Sequence, residues 1–478
     1  MPCQSSSAIP FLFPEDVRRV MLAKRGVIEG FYGPPWTWAE RHDMLDFLAA
    51  QGLGAYLYAP KNDPIHRNRW REPYTPGEWQ AFGQLAARAR GHGTEFIFGL
   101  SALGFGYTRP DDLETLRRKM AGARDQGIGS FVLLLDDLPD RFDHSEDAAA
   151  FGTLDRAQAW LANTLAADAP GDFSFVPTEY HGAGDSAYLR GLGEHLDPAI
   201  GVFWTGHDIC SPTLNADDLR AVTAALRRAP LVWDNVPVND LEMRFDPHLG
   251  PLTGRSSDLV AHAAGYFANA GERPEMSKLT LHTVAAFLRE PGTYDPEVAA
   301  REAALALTAT RAEAEALLLL ADLARRGPLN PGQGLHHALW PAIDAFWAAR
   351  GGPPAGVGTD LADRPERRPV TPDEAPLRRA AVELELAGET LIHLSNLNLR
   401  RELAPWAHKL AGWARVLKYA LAALDHPHDT RARGYVLEEL FLVRANMHWV
   451  AGDTFDHFAR RCVWAAEALA TLQTVERA

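Results

Sequence analysis

From residue 25 the chain alternates two hydrophobic patterns. Short runs that are apolar nearly throughout give way to longer stretches whose apolar residues recur at helical spacing, one such pair every roughly 25 to 40 residues. Continuous apolar runs of this length, bounded by turn residues, read as strands buried on both faces. They fall at 26–31, 55–59, 95–100, 130–135, 173–178, 201–205, 231–235 and 265–268. The stretches 38–51, 76–91, 111–126 and 214–228 read as helices, several opened by proline or acidic residues, where helix starts favour them. Eight such units over about 250 residues predict an α/β fold of the (β/α)8, TIM-type barrel class, assigned here to 25–298. An open doubly wound sheet is the competing arrangement. Against it, no G-x-G-x-x-G follows the first strand and no Walker sequence occurs anywhere.

After residue 290 the strand pattern stops. Segments 296–326, 335–349, 376–399, 403–424 and 430–472, the last broken near Gly452, are rich in Ala, Leu, Glu and Arg and predict an all-α helical bundle over 299–478. A Gly/Pro break at 327–332 and a polar stretch at 350–371, expected to be a mobile loop, interrupt it. Trp406, Trp413, Trp449 and Trp464 are expected to pack its core. Residues 1–24 are expected to form an N-terminal arm.

Composition narrows the partners. A net charge of −14 argues against nucleic acid or an anionic membrane, because a phosphate footprint needs clustered Lys and Arg. The most apolar later stretch, 316–321, is too short to span a bilayer. The first twenty residues lack a basic start and a long apolar run, and the three cysteines are far apart without metal-ligand spacing, so a reducing, cytoplasmic location is expected.

The barrel prediction carries a second one, that chemistry gathers at the carboxyl ends of the strands. Those ends hold Glu29 to Gly33, Lys61, Asp136 with Asp137, Glu179 with Tyr180, Trp204, Trp233 to Asn235, and Asn269. The stretch 130–140, SFVLLLDDLPD, is the most pointed, a buried strand running into two adjacent carboxylates. His66, His181 and His207 are scattered singly, and neither H-E-x-x-H nor G-x-S-x-G occurs, so no metal or cofactor is expected. General acid and base work remains. Two Asp held together in a desolvated pocket repel, which raises one pKa and makes that group a proton donor near neutrality. Tyr32, Trp204 and Trp233 offer faces for a sugar ring, and Lys61, Asn235, Asp240 and Asn269 offer partners for hydroxyls. Glycosidases ordinarily set their carboxyl groups about 5–10 Å apart across the scissile bond. Sequence neighbours do not satisfy that. Either Asp137 pairs with a distant carboxylate, Asp234 being the candidate, or the nucleophile is the substrate's own 2-acetamido group.

The stretches RGVIEGFYGPPW (25–36), AYLYAPKND with R-x-x-W-R at 67–71, LLLDDLPD (133–140), VPTEY (176–180), FWTG (203–206) and WDNVPVND (233–240) together resemble glycoside hydrolase family 84, the family of protein O-GlcNAcases and bacterial β-N-acetylglucosaminidases. The match runs in order over about residues 20–300, and the helical half resembles the stalk of the O-GlcNAcases. As a bacterial member, the chain is expected to be a retaining exo-β-N-acetylglucosaminidase that removes terminal β-linked GlcNAc, from Ser or Thr of proteins, by substrate-assisted catalysis. The resemblance implies that Asp136 polarises the acetamide and Asp137 is general acid and base. It implies that Tyr180 hydrogen-bonds the acetamide-derived group and Val176 lines the pocket for its methyl. Gly30 through its carbonyl, Lys61 and Asn269 would hold sugar hydroxyls, Asp240 the 4- and 6-hydroxyls, with Trp233 and Asn235 shaping the pocket. The expected partner is a GlcNAc-bearing glycoconjugate or glycoprotein. Many bacterial members carry an extra N-terminal α/β domain without counterpart here, a layout that makes a homodimer through the helical half an expectation. A hyaluronidase-like endo-acting enzyme and a non-catalytic GlcNAc-binding protein are the competing readings.

Overall fold

Eight strands among the described residues pair in parallel and in sequence order: β1 (Lys24–Glu29), β2 (Ala55–Tyr58), β3 (Glu95–Ser101), β4 (Ser130–Leu134), β5 (Phe173–Val176), β6 (Gly201–Trp204), β7 (Leu231–Asp234) and β8 (Gly265–Asn269). β8 closes on β1, with Gly26 opposite Phe267 and Ile28 opposite Asn269, so the sheet has no edge. This is the (β/α)8 barrel the pattern predicts. The computed structural model describes residues 22, 24–325, 339–352 and 370–477. The N-terminal arm, apart from Leu22 and Lys24, the Gly/Pro break at 327–332 and most of the loop expected at 350–371 lie outside them.

Side chains alternate along every strand and sort into two cores. Ile28, Leu57, Ile97, Val132, Leu134, Val176, Phe203, Trp233 and Phe267 point to the barrel axis. Val27, Tyr56, Phe98, Phe131, Leu133, Phe175, Val202 and Val232 point outward, where helices cover them. Those helices begin where the sequence supplies caps. Thr37 and Thr75 each accept from the backbone N–H three residues on, while Glu40 and Glu78 reach back, so helices Trp38–Gln51 and Pro76–Gly91 start with capping boxes.

The helical half has its own core around helix Leu397–Asp425, which buries Trp406, Leu410, Trp413 and Leu417 and packs on Ala375–Ile392 and Thr454–Arg477. Two expectations need correcting. The predicted helix boundary between 399 and 403 is absent. The break falls at 393–396, because Asn396 caps the long helix by accepting from Leu399 N at 3.1 Å while its amide donates to Glu275 at 2.9 Å. Pro405 then lies inside the helix, its carbonyl accepting from Asn446 Nδ2 at 2.8 Å. Trp464 is also not core, since it is 40% exposed; Trp406 and Trp413 are buried and Trp449 is half-buried. The two halves are joined by polar contacts, Met276 N to Glu402 and Trp406 Nε1 to Phe245 O, both 2.9 Å. Among the described residues, no helix is long and apolar enough to cross a membrane.

Candidate active site

The alternation that builds the barrel also decides which strand-end residues reach its mouth. On β4, Val132 and Leu134 face the axis, so Asp136 does too, and Asp137 should face the helices. Asp137 instead adopts the left-handed conformation, with φ +57°. Asp tolerates this region better than most residues. The turn swings its carboxyl group back, and both carboxylates line one cleft of about 760 Å³.

Every residue to which the sequence assigned a site role through the resemblance lines that cleft: Gly30, Lys61, Asp136, Asp137, Val176, Tyr180, Trp233, Asn235, Asp240 and Asn269. Lys61 pairs with Asp136 and stands 3.4 Å from Asp137. Burial alone would lower the Lys61 pKa, but the two carboxylates outweigh it and keep the ammonium charged. Asp137 accepts one hydroxyl on each oxygen, Tyr180 on Oδ1 and Tyr32 on Oδ2, each at 2.8 Å. Across the mouth, Asn235 Oδ1 accepts from Trp233 Nε1 and Asn269 Nδ2, both at 2.9 Å, and Asn235 Nδ2 donates to Ile209 O at 2.6 Å. Asn269 Oδ1 in turn accepts the Gly30 amide at 3.1 Å. A Cβ on Gly30 would come within 2.8 Å of the Trp233 ring, so only glycine lets β1 approach this wall. Asp240 accepts the Tyr32 amide at 2.6 Å, and burial raises its pKa.

Three expectations are overturned. Trp204 is fully buried in the outer layer and offers no face to the cleft, because Phe203 takes the inward position on β6. Asp234, the candidate for a distant catalytic carboxylate, also points outward, held by Arg255 at 2.7 and 2.6 Å and by the Tyr266 hydroxyl. The acid pair does not leave Asp137 with a raised pKa. Burial pushes it up, but Lys61, the Tyr180 and Tyr32 hydroxyls and Arg67 together hold it below the usual carboxylate range. A cation set between two acids relieves the repulsion the sequence argument relied on.

The histidines stay separate. His66 is buried edge-on to Tyr58, and burial pushes it down to about 3; His207 pairs with Asp218 at 2.8 Å. Among the described residues, no group of three or more His, Cys, Asp or Glu is placed to hold a metal ion. Sequence reasoning missed Arg67, whose Nη1 lies 3.0 Å from the Tyr32 hydroxyl, and read Tyr32 as a stacking face rather than a donor to Asp137. The available signal was the matched R-x-x-W-R stretch.

Comparison with known proteins adds to this geometry. Residues 25–322 match the family model described as beta-N-acetylglucosaminidase. The chain is 36% identical over 276 residues to the protein O-GlcNAcases of Rattus norvegicus and Mus musculus, covering 55% of this chain but 30% of each relative. It therefore spans less than a third of the length of these relatives. A mutant of the Thermobaculum terrenum O-GlcNAc hydrolase has a similar structure, with TM-score 0.81 and 28% identity over 95% of this chain and 97% of that one. The matched region runs through all eight strands and every cleft residue named above, and the chain belongs to the β-N-acetylglucosaminidase family, glycoside hydrolase family 84.

Proposed function

We propose that the protein is a retaining exo-β-N-acetylglucosaminidase that hydrolyses terminal β-linked GlcNAc, from Ser or Thr of glycoproteins, with the substrate's acetamide as nucleophile. The observation that carries this reading is the turning of two adjacent carboxylates into one cleft, while Asp234, the distant alternative, is locked outward on Arg255. In the first half of the reaction the acetamide N–H hydrogen-bonds Asp136, which makes the carbonyl oxygen more nucleophilic. That oxygen bonds to the anomeric carbon as the glycosidic C–O bond breaks, and Asp137 transfers its proton to the leaving oxygen. Bound substrate buries the carboxyl further and draws the Tyr180 hydroxyl to the acetamide-derived group, which offsets the contacts that favour the ionised form in the free protein. In the second half the ionised Asp137 takes a proton from water as the water oxygen attacks the anomeric carbon and the oxazoline ring reopens. Tyr180 would hydrogen-bond the acetamide-derived group, and Val176 would line the pocket for its methyl. Lys61, Asn269, Asp240 and the Gly30 carbonyl would hold the sugar hydroxyls, in a pocket shaped by Trp233 and Asn235.

The test is hydrolysis of aryl N-acetyl-β-glucosaminides with leaving groups of different pKa, by Asp136→Asn and Asp137→Asn. Loss of Asp137 is expected to slow poor leaving groups by about 10²–10⁴ and good ones much less. Asp136→Asn is expected to slow both alike. Full activity in Asp137→Asn, or rapid cleavage of the matching glucoside, which has no acetamide, overturns the reading.

A cytoplasmic location and a homodimer through the helical half belong to the same proposal. Among the described residues Cys210 and Cys462 are free thiols, which supports a reducing compartment. Helix Thr430–Ala445 turns Tyr435, Leu437, Phe441 and Leu442 outward, an apolar face suited to a second copy. Light scattering is expected to give a dimer that Phe441→Glu converts to monomer; a monomeric parent protein refutes this.

A further inference from the structure

The loop that follows β2 is built to be rigid. Asp63 accepts from Ile65 N at 2.9 Å and from the hydroxyls of Tyr58 and Tyr74 at 2.6 and 2.7 Å. Arg71 grips Asp112 with two bonds of 2.7 Å, and Trp70 Nε1 donates to Leu103 O at 2.9 Å. Between these anchors Arg67, buried and 8% exposed, sends Nη1 to the Tyr32 hydroxyl at 3.0 Å. The same nitrogen is 3.8 Å from Asp137 Oδ2, and the guanidinium lies 5.5 Å from the Tyr32 ring centre.

The chemistry of these groups fixes a direction. A guanidinium carries only donors, and a tyrosine hydroxyl has a single proton. Since Arg67 cannot accept that proton, the hydroxyl takes a bond from Arg67 and gives its own to Asp137. We propose that Arg67 is a positioning residue that acts through Tyr32, locking the tyrosine as a one-way donor to Asp137 Oδ2. The inference rests on the reading of Asp137 as the acid and base. Its consequence is that Oδ2 is an acceptor in both halves of the reaction. The proton Asp137 delivers to the leaving oxygen is then left to Oδ1, whose donor Tyr180 has no cation to fix its direction and can turn its hydroxyl to the acetamide-derived group. In the second half the same chain steadies the ionised carboxylate while it takes a proton from water. The other charged and titratable groups that line the cleft with Asp137 are Lys61, Asp136, Tyr180, His181, Asp208, Cys210, Asp240 and Glu242, and none of them is hydrogen-bonded to the Tyr32 hydroxyl.

The experiment is the pH dependence of kcat/KM on an aryl N-acetyl-β-glucosaminide for the wild type, Tyr32→Phe, Arg67→Met and the double variant. Removing donors to the carboxylate raises the pKa of Asp137, so it keeps its proton to higher pH. Each single variant is expected to move the alkaline limb upward by roughly one pH unit. The double variant should move it by clearly less than the sum of the single shifts, because both act on one hydrogen bond and only the direct charge of Arg67, 3.8 Å from Oδ2, adds to it. Arg67→Lys, another cation without an acceptor, should restore most of the wild-type profile. Shifts that add in the double variant would mean that Arg67 acts on Asp137 by charge alone and would overturn the proposal. So would an unmoved limb in Arg67→Met. If Arg67→Met does not fold, Arg67→Gln replaces it: its side chain can accept as well as donate, so the limb should move as in Tyr32→Phe, and an unmoved limb refutes the chain. Asp137→Asn in the same assay separates the two levels. If it keeps the alkaline limb, the assignment of Asp137 fails; if it abolishes the limb while the Arg67 variants move nothing, only the role of Arg67 fails.

Discussion

Glu29, Asp234 and Asp137 stand at the ends of three barrel strands in the same company, a cation and a tyrosine hydroxyl. Glu29 meets Arg41 at 2.9 and 2.8 Å together with Tyr56. Asp234 meets Arg255 at 2.7 and 2.6 Å together with Tyr266. Asp137 meets Lys61 at 3.4 Å, Arg67 at 3.8 Å and two tyrosines. Glu29 and Asp234 face the helices with side chains 0% and 3% exposed, whereas the Asp137 side chain is 29% exposed. The geometry of the cation makes the difference. A bidentate arginine occupies both oxygens of an outward carboxylate and turns it into a strut. Around Asp137 the cations stand off and single hydroxyls do the holding, so lone pairs remain for a ligand. Ingredients that brace the barrel on its outer face leave an open carboxylate in the cleft on its inner one, where the proposed chemistry is placed.

The largest expected effect tests that division directly. Asp234→Ala strands Arg255 without its partner in a fully buried site, and breaking such a pair costs about 3–5 kcal/mol. Asp137→Asn removes one of two like charges beside Lys61 and leaves hydrogen-bonding capacity in place, so it should change stability by less than about 1 kcal/mol while activity collapses. Denaturant midpoints of the two variants, beside their rates, check this. Comparable stability losses would mean that the inner cluster is a strut as well.

Much of this was legible in the sequence, and what was not has a physical reason. Strand positions and the polar rim follow from runs that end in turn residues, as at Leu135 before Asp136. Parity did not follow. A strand buried on both faces carries no alternation of polar and apolar residues, so nothing in FWTG or WDN marks which tryptophan faces the axis. Trp204 and Trp233 look alike in sequence, yet Phe203 claims the inward place on β6 and Trp233 claims it on β7. The direction of Asp137 was hidden for a related cause, since its left-handed φ reverses the alternation that the strand imposes. The sequence places the helix start at Asn396 too late, at 403, because a proline at 405 argues against a helix running through it, yet Pro405 sits within the helix.

The two tryptophans supply the smallest test. Trp233→Phe keeps a ring in the cleft but removes one of the two donors to Asn235 Oδ1, leaving Asn269 to orient that amide alone. One such hydrogen bond is worth about 1 kcal/mol, so KM should rise roughly fivefold with stability little changed. Trp204→Phe should do the reverse. It opens a small cavity between β6 and the helices, which costs about 1–3 kcal/mol. Part of that cost is offset, because the buried Trp204 Nε1 has no hydrogen-bond partner among the described residues and its removal leaves nothing unsatisfied. KM should stay at the wild-type value, since Trp204 touches no cleft residue's polar network. A raised KM in Trp204→Phe, with Trp233→Phe silent, would mean that the inward and outward faces have been assigned the wrong way round at β6 and β7.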